Sequence, residues 1–129
     1  MMIVPAVLLR HHTPDGVHHD WLVGTPQDRL SPDARLWSAR VRHPSRLWRR
    51  LGRFDLETIQ PHRRAYLRYQ GPISGHRGWV TRTDHGNVAL RLWTPKRMIL
   101  DVRFHHFAGL LRIDRLSDRH WRAVIQRAE

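Results

Sequence analysis

His12, His18 and Asp20 stand at a spacing that can hold a cation: two imidazoles six residues apart and a carboxylate two further on. Between the histidines lies Pro14-Asp15-Gly16. As a three-residue hairpin loop, this run would put Pro14 and Asp15 in type I turn positions and Gly16 in the left-handed position that forms a bulge. The spacing then predicts Thr13 opposite Val17, His12 opposite His18 and Arg10 opposite Asp20. Residues facing each other across such a ribbon lie about 4.5–5.5 Å apart, and the next pair on the same face is about 6.6 Å further along. Two nitrogens and one carboxylate oxygen leave positions open for water and a substrate oxygen. Mixed N/O ligation suits manganese, iron or zinc, and without cysteine nothing forces zinc. Held this way, a metal acts as a Lewis acid on a phosphoryl oxygen and activates water.

Around these residues the apolar pattern is short and two-fold. Strands are expected over 3–12, 17–23, 36–41, 78–83, 88–93, 98–104, 110–116 and 121–126, with residues 25–33 a loop. His85-Gly86-Asn87 reads as a turn between two of the strands. Residues 44–51 read as a short helix with Leu47, Trp48 and Leu51 on one side and Arg46, Arg49 and Arg50 on the other. Many short strands joined by turn signals predict a mainly β fold, a β-barrel of about seven or eight strands with one or two short helices. At 129 residues the chain is expected to be a single domain, residues 1–129. Trp21, Trp37, Trp79 and Trp93, all on strands, are expected in the core.

Charge is the outlying bulk property. Lysine and arginine number 23 against 11 acids, a net charge of +12, and Lys96 is the only lysine. The planar guanidinium fork matches phosphate oxygens in pairs, and an excess of this size draws in polyanions. Nucleic acid is therefore the expected partner. With no cysteine, disulfides, thiolate metal sites and a cysteine nucleophile are excluded. The apolar run 3–9 is too short to cross a bilayer and lacks the features of a secretory leader. No membrane association is expected, and the cytoplasm is the expected compartment.

A second block lies downstream: His62, Tyr66 and the run Tyr69-Gln70-Gly71-Pro72-Ile73-Ser74-Gly75. Taken with His12, His18 and Asp20, it makes the chain resemble the 3′-phosphoesterase domain of bacterial DNA ligase D and its small stand-alone relatives. The resemblance implies a β-barrel binding manganese (zinc being an alternative) through His12, His18 and Asp20. It implies that His62 lies near the metal and the scissile phosphate, with Tyr66 beside it, as the catalytic pair. It also implies trimming of 3′ ribonucleotides or 3′-phosphates at DNA ends (or RNA ends) before sealing, with an end-joining ligase or polymerase as a protein partner. The closing strands of that family match residues 109–115. The chain departs from the family where an arginine and a glutamate would follow Asp20 by two and four, since Leu22 and Gly24 stand there, and where Gln70 replaces an acid. Arg10, Arg40, Arg42 or Arg53 would then supply the phosphate-binding charge.

Two other readings use the same residues. One is a catalytically impaired relative that binds nucleic-acid ends or partner proteins. The other is a non-haem iron oxygenase, in which His18 and Asp20 form part of a facial triad completed by His105 or His106.

Overall fold

Alternation of large apolar and polar side chains over short runs makes strands here because most runs bury one face only. In the computed structural model, which describes residues 1–29, 31 and 33–127, these strands are β1 (Met2–Thr13), β2 (Gly16–Val23), β3 (Trp37–Val41), β4 (Arg53–Thr58), β5 (Gly71–Pro72), β6 (Trp79–Trp93), β7 (Arg97–Phe104), β8 (Ala108–Arg115) and β9 (His120–Gln126). Eight of them close into an antiparallel barrel in the order β1-β2-β3-β4-β9-β8-β7-β6, with β6 returning to pair with β1. The two-residue β5 lies on β6 outside the closure. The mainly β barrel expected from the sequence is thus the fold.

The interior is filled by residues such as Val4, Leu8, Trp21, Val41, Leu56, Leu100 and Ile113. A short helix, α1 (Trp48–Leu51), follows a 3-10 turn at Ser45–Leu47. It wedges Trp48 among Trp21, Phe54 and Phe107 at ring separations of 5.0, 4.6 and 5.4 Å. The indole N–H of Trp48 donates to the His43 carbonyl (2.9 Å), so the buried ring keeps its polar atom satisfied. Removing roughly 200 Å² of indole from water is worth about 5 kcal/mol.

A second apolar cluster sits on the outside of the barrel wall. Val7, Leu9, Leu22, Leu36 and Val80 are buried there, with Tyr66, Leu67 and Ile73 packed over them. β1 is therefore apolar on both faces. The covering side chains come from the segment 59–78, tied down where Leu36 and His62 exchange backbone hydrogen bonds.

Several local expectations need correction. His85-Gly86-Asn87 makes no turn, because β6 runs unbroken through it for 15 residues. Gly86 is required for close approach instead: a Cβ there would overlap the Arg103 carbonyl of the paired strand. The reversal comes at residues 94–96, where the Thr94 hydroxyl oxygen accepts from the Arg97 N–H (2.9 Å). β4 was not expected from the sequence. Residues 44–51 are helical only in part, and Leu51 is exposed. The loop 25–33 contains a 3-10 turn at Pro26–Arg29, and its positions 30 and 32 lie outside the described residues. Trp79 is not core: it is 52% exposed.

On the barrel exterior Asp55 faces Arg122 across the β4–β9 ladder, with Nε donating to Oδ1 at 2.8 Å. That hydrogen bond, more than any other influence, lowers the Asp55 pKa. A lowered folded-state pKa stabilises the fold above the unfolded carboxylate value, and the contribution disappears as pH falls through the folded value. Because the pair is exposed to water, it is screened and weak. Asp55→Asn is expected to move the urea midpoint only slightly at pH 7, and the difference should shrink as pH falls below the usual carboxylate range.

Candidate metal centre and the cavity beside it

The opening hairpin turns more tightly than the sequence suggests. Thr13 pairs with Gly16, leaving a two-residue bend of Pro14 and Asp15. The Thr13 hydroxyl clamps it, accepting from the Asp15 N–H (3.2 Å) and donating to the Gly16 carbonyl (2.8 Å). One residue less in the bend shifts the register by one, and every opposite pair changes. His11 faces His18, Leu9 faces Asp20, Arg10 faces His19, and His12 faces Val17.

The residue beside His18 and Asp20 is consequently His11, not His12. A donor atom from each of His11, His18 and Asp20 lies within 4.8 Å of the others. His12 projects to the opposite face of β1 and stacks on Trp79, with ring centroids 4.6 Å apart. The run Val4–Leu9 carried no signal for this choice, since its residues are apolar on both faces.

Hydrogen bonding prepares His11 for a cation. Its Nε2 lies 2.9 Å from the Arg77 carbonyl, which only accepts, so Nε2 carries the proton. In the neutral ring, Nδ1 then presents a lone pair toward Asp20 Oδ2 at 3.6 Å. A carbonyl that fixes the distal nitrogen is a common support for a metal-ligating imidazole. Asp20 is 2% exposed. Its Oδ1 accepts from His18 Nδ1 at 3.0 Å, and His18 Nε2 in turn accepts from the Arg40 guanidinium at 3.3 Å. A buried carboxylate with so few partners is costly unless positive charge is close. Arg40, directly opposite Asp20 in the β2–β3 ladder, brings one such charge.

His11 and Asp20 form the floor of a cavity of about 90 Å³ whose roof is His62, Tyr66, Ile73 and Arg77. Two blocks more than 40 positions apart in the chain thus share one enclosure. The His62 Nδ1–H donates to the Gln60 carbonyl (2.9 Å), leaving Nε2 free, and the Tyr66 ring meets the His62 ring edge-on at 5.4 Å. A wider cleft of about 450 Å³ adjoins, sharing His62, Tyr66 and Arg77 and adding Arg35 and Arg63. Neither Arg35 nor Arg63 was singled out in the sequence. Lacking a motif, they are recognisable only once residues 59–78 are seen lying across β1.

The other candidate arginines are placed elsewhere. Arg10 projects into the barrel mouth beside His19. Arg42 is an exposed residue just beyond β3. Arg53 stands at the far end of β4, four residues before the Glu57 that pairs with Arg40. His105 and His106 lie in the β7–β8 turn, where their backbone N–H groups donate to the buried Asp84. Burial holds the His19 imidazole below its usual pKa, and the Arg10 guanidinium adds to the effect.

Leu22, Gly24 and Gln70 each have a structural role. Leu22 is buried in the outer apolar cluster. A Cβ at Gly24 would come within 2.6 Å of Asp28 Oδ2 and 2.7 Å of Val4 Cβ, so no side chain fits. The Gln70 side-chain oxygen accepts from the Arg82 N–H at 2.8 Å, next to the bulge where β6 shifts register on β1.

No protein-family model and no curated protein matches the chain. Among the described residues, no helix is long and apolar enough to cross a membrane.

Proposed function

We propose that this chain is a metal-dependent, phosphoesterase-like protein acting on the 3′ ends of DNA or RNA, with manganese as the preferred ion and zinc as the alternative. The observation that carries the reading is the shared enclosure: His11 and Asp20 of the metal group on one side, His62 and Tyr66 on the other, and an arginine-lined cleft adjoining. The residues fit a divalent ion, since His11 Nδ1 and Asp20 Oδ2 face each other at 3.6 Å with no proton between them when the imidazole is neutral. A bound ion supplies a Lewis acid for a phosphoryl oxygen.

The chain's own groups do the rest. Arg35, Arg63 and Arg77 draw the terminal phosphate into the cleft and offset its charge. Water attacks phosphorus and its oxygen stays with the released phosphate, while the bond to the 3′ oxygen breaks. Protonated His62 gives its Nε2 proton to that leaving oxygen, a task suited to an imidazole. Tyr66 sets the angle of the His62 ring. In an end-repair setting, the product 3′-hydroxyl would pass to a ligase or polymerase. The test is phosphate release from an oligonucleotide 3′-phosphate with manganese. Release is expected from the parent and lost in Asp20→Ala, and equal release from both sinks the reading.

One observation favours a second reading, a module that binds nucleic-acid ends without turnover. Both His18 ring nitrogens are already engaged, by Asp20 and by Arg40. Saturable manganese binding with no phosphate release would select it.

A further inference from the structure

The hairpin that carries the metal group has a second face, and beyond the core residues Leu8 and Trp21 the polar residues on it serve nothing described so far. Arg10 and His19, paired across β1 and β2, line a cavity of about 540 Å³ at the barrel mouth together with Arg46 and His106. Among the described residues, neither Arg10 nor Arg46 is held in an ion pair. His19 Nδ1 is buried there without a hydrogen-bond partner. The nearby acid, Asp84, is already occupied, accepting from the Ser45 hydroxyl and from the backbone N–H groups of His85, His105 and His106.

Two residues beyond Arg10 on the same face, about 6.6 Å along the strand, His12 lies flat against Trp79 with 8° between the rings. The outer of these two rings is widely exposed. Charge that is unpaired and turned toward a cavity, next to an aromatic plane open to solvent, is the combination that holds a phosphodiester and its unpaired base.

We propose that the barrel mouth and the His12–Trp79 plane bind single-stranded nucleic acid, with a base stacked on Trp79 and the adjacent phosphates held by Arg10 and Arg46. This goes beyond the phosphoesterase reading, because the two sites use opposite faces of one ribbon and neither requires the other. A duplex fits poorly, since its bases are already stacked on one another and offer no free plane to Trp79.

The experiment is anisotropy of a labelled oligothymidylate with the full chain in the presence of a chelator, which silences the metal group and separates a failure here from a failure there. Trp79→Ala should weaken binding about tenfold and Trp79→Phe much less. Arg10→Ala and Arg46→Ala should each make the salt dependence shallower by about 0.7 in log–log slope. Lys96→Ala, at the β6–β7 turn, should leave affinity within about twofold. Circular dichroism confirms that each variant is folded, and the exposure of Trp79 leaves the core untouched by its replacement. The proposal is overturned if Trp79→Ala and Arg46→Ala bind no more weakly than Lys96→Ala. Equal competition by a duplex of the same length also overturns it.

Discussion

His11→Ala is expected to weaken manganese binding by about 100-fold or more, and His12→Ala to leave it within about threefold. The contrast rests on register. Side chains alternate faces along a strand, so neighbours in sequence point apart. His11 shares a face with His18 and Asp20 and has its Nε2–H bound by the Arg77 carbonyl. Losing even an outer group that orients a ligand costs 10–100-fold in metal affinity, and losing the ligand itself costs at least as much. His12 touches Trp79 on the other side of the ribbon. Manganese binding followed by electron paramagnetic resonance decides between them. If His12→Ala loses the ion and His11→Ala keeps it, the bend has three residues and the group is wrongly assembled.

Gly78→Ala is expected to destabilise the fold by about 3 kcal/mol or more and to lower the thermal midpoint by roughly 10 °C. Two effects combine. Gly78 has a φ of +89°, which an L side chain tolerates badly, and a Cβ there would overlap the His12 carbonyl of the neighbouring strand. Backbone cannot step aside as a flexible side chain can. Gly52→Ala separates the two effects, because Gly52 also has a positive φ (+75°) but open space around it. Its cost should be only about 1 kcal/mol. Gly78 adjoins Arg77, whose carbonyl holds His11, so Gly78→Ala should also weaken manganese binding. Equal losses from the two substitutions in thermal denaturation would show that contact with β1 contributes nothing.

Turn signals and two-fold alternation made the barrel legible in the sequence, because both are local. Pro14-Asp15-Gly16 announced a hairpin but not its length, and that one residue separates His12 from His11 as the partner of His18. The histidine and aspartate at 18 and 20 were legible because both lie on the same strand. His62 and Tyr66 were singled out only through resemblance, and no pattern shows that their segment crosses the outer face of β1. Gly86 misled for a physical reason. Glycine serves a turn and a close strand approach equally well, and only pairing with β7 tells which applies. Trp79 misled in the same way, since a tryptophan on a strand is usually buried and its neighbour His12 gave no sign of a solvent-facing stack.

Barrel closure between β1 and β6 has a consequence for how other molecules can engage this protein. Each of the eight barrel strands has a neighbour on both sides, and the two-residue strand at the remaining border contains Pro72, which has no amide hydrogen to offer. Augmentation by an incoming chain needs a free row of backbone donors and acceptors, and that row is absent among the described strands. Recognition must therefore be written in side chains, where arginine is plentiful and selectivity comes from the shape and charge of what it grips.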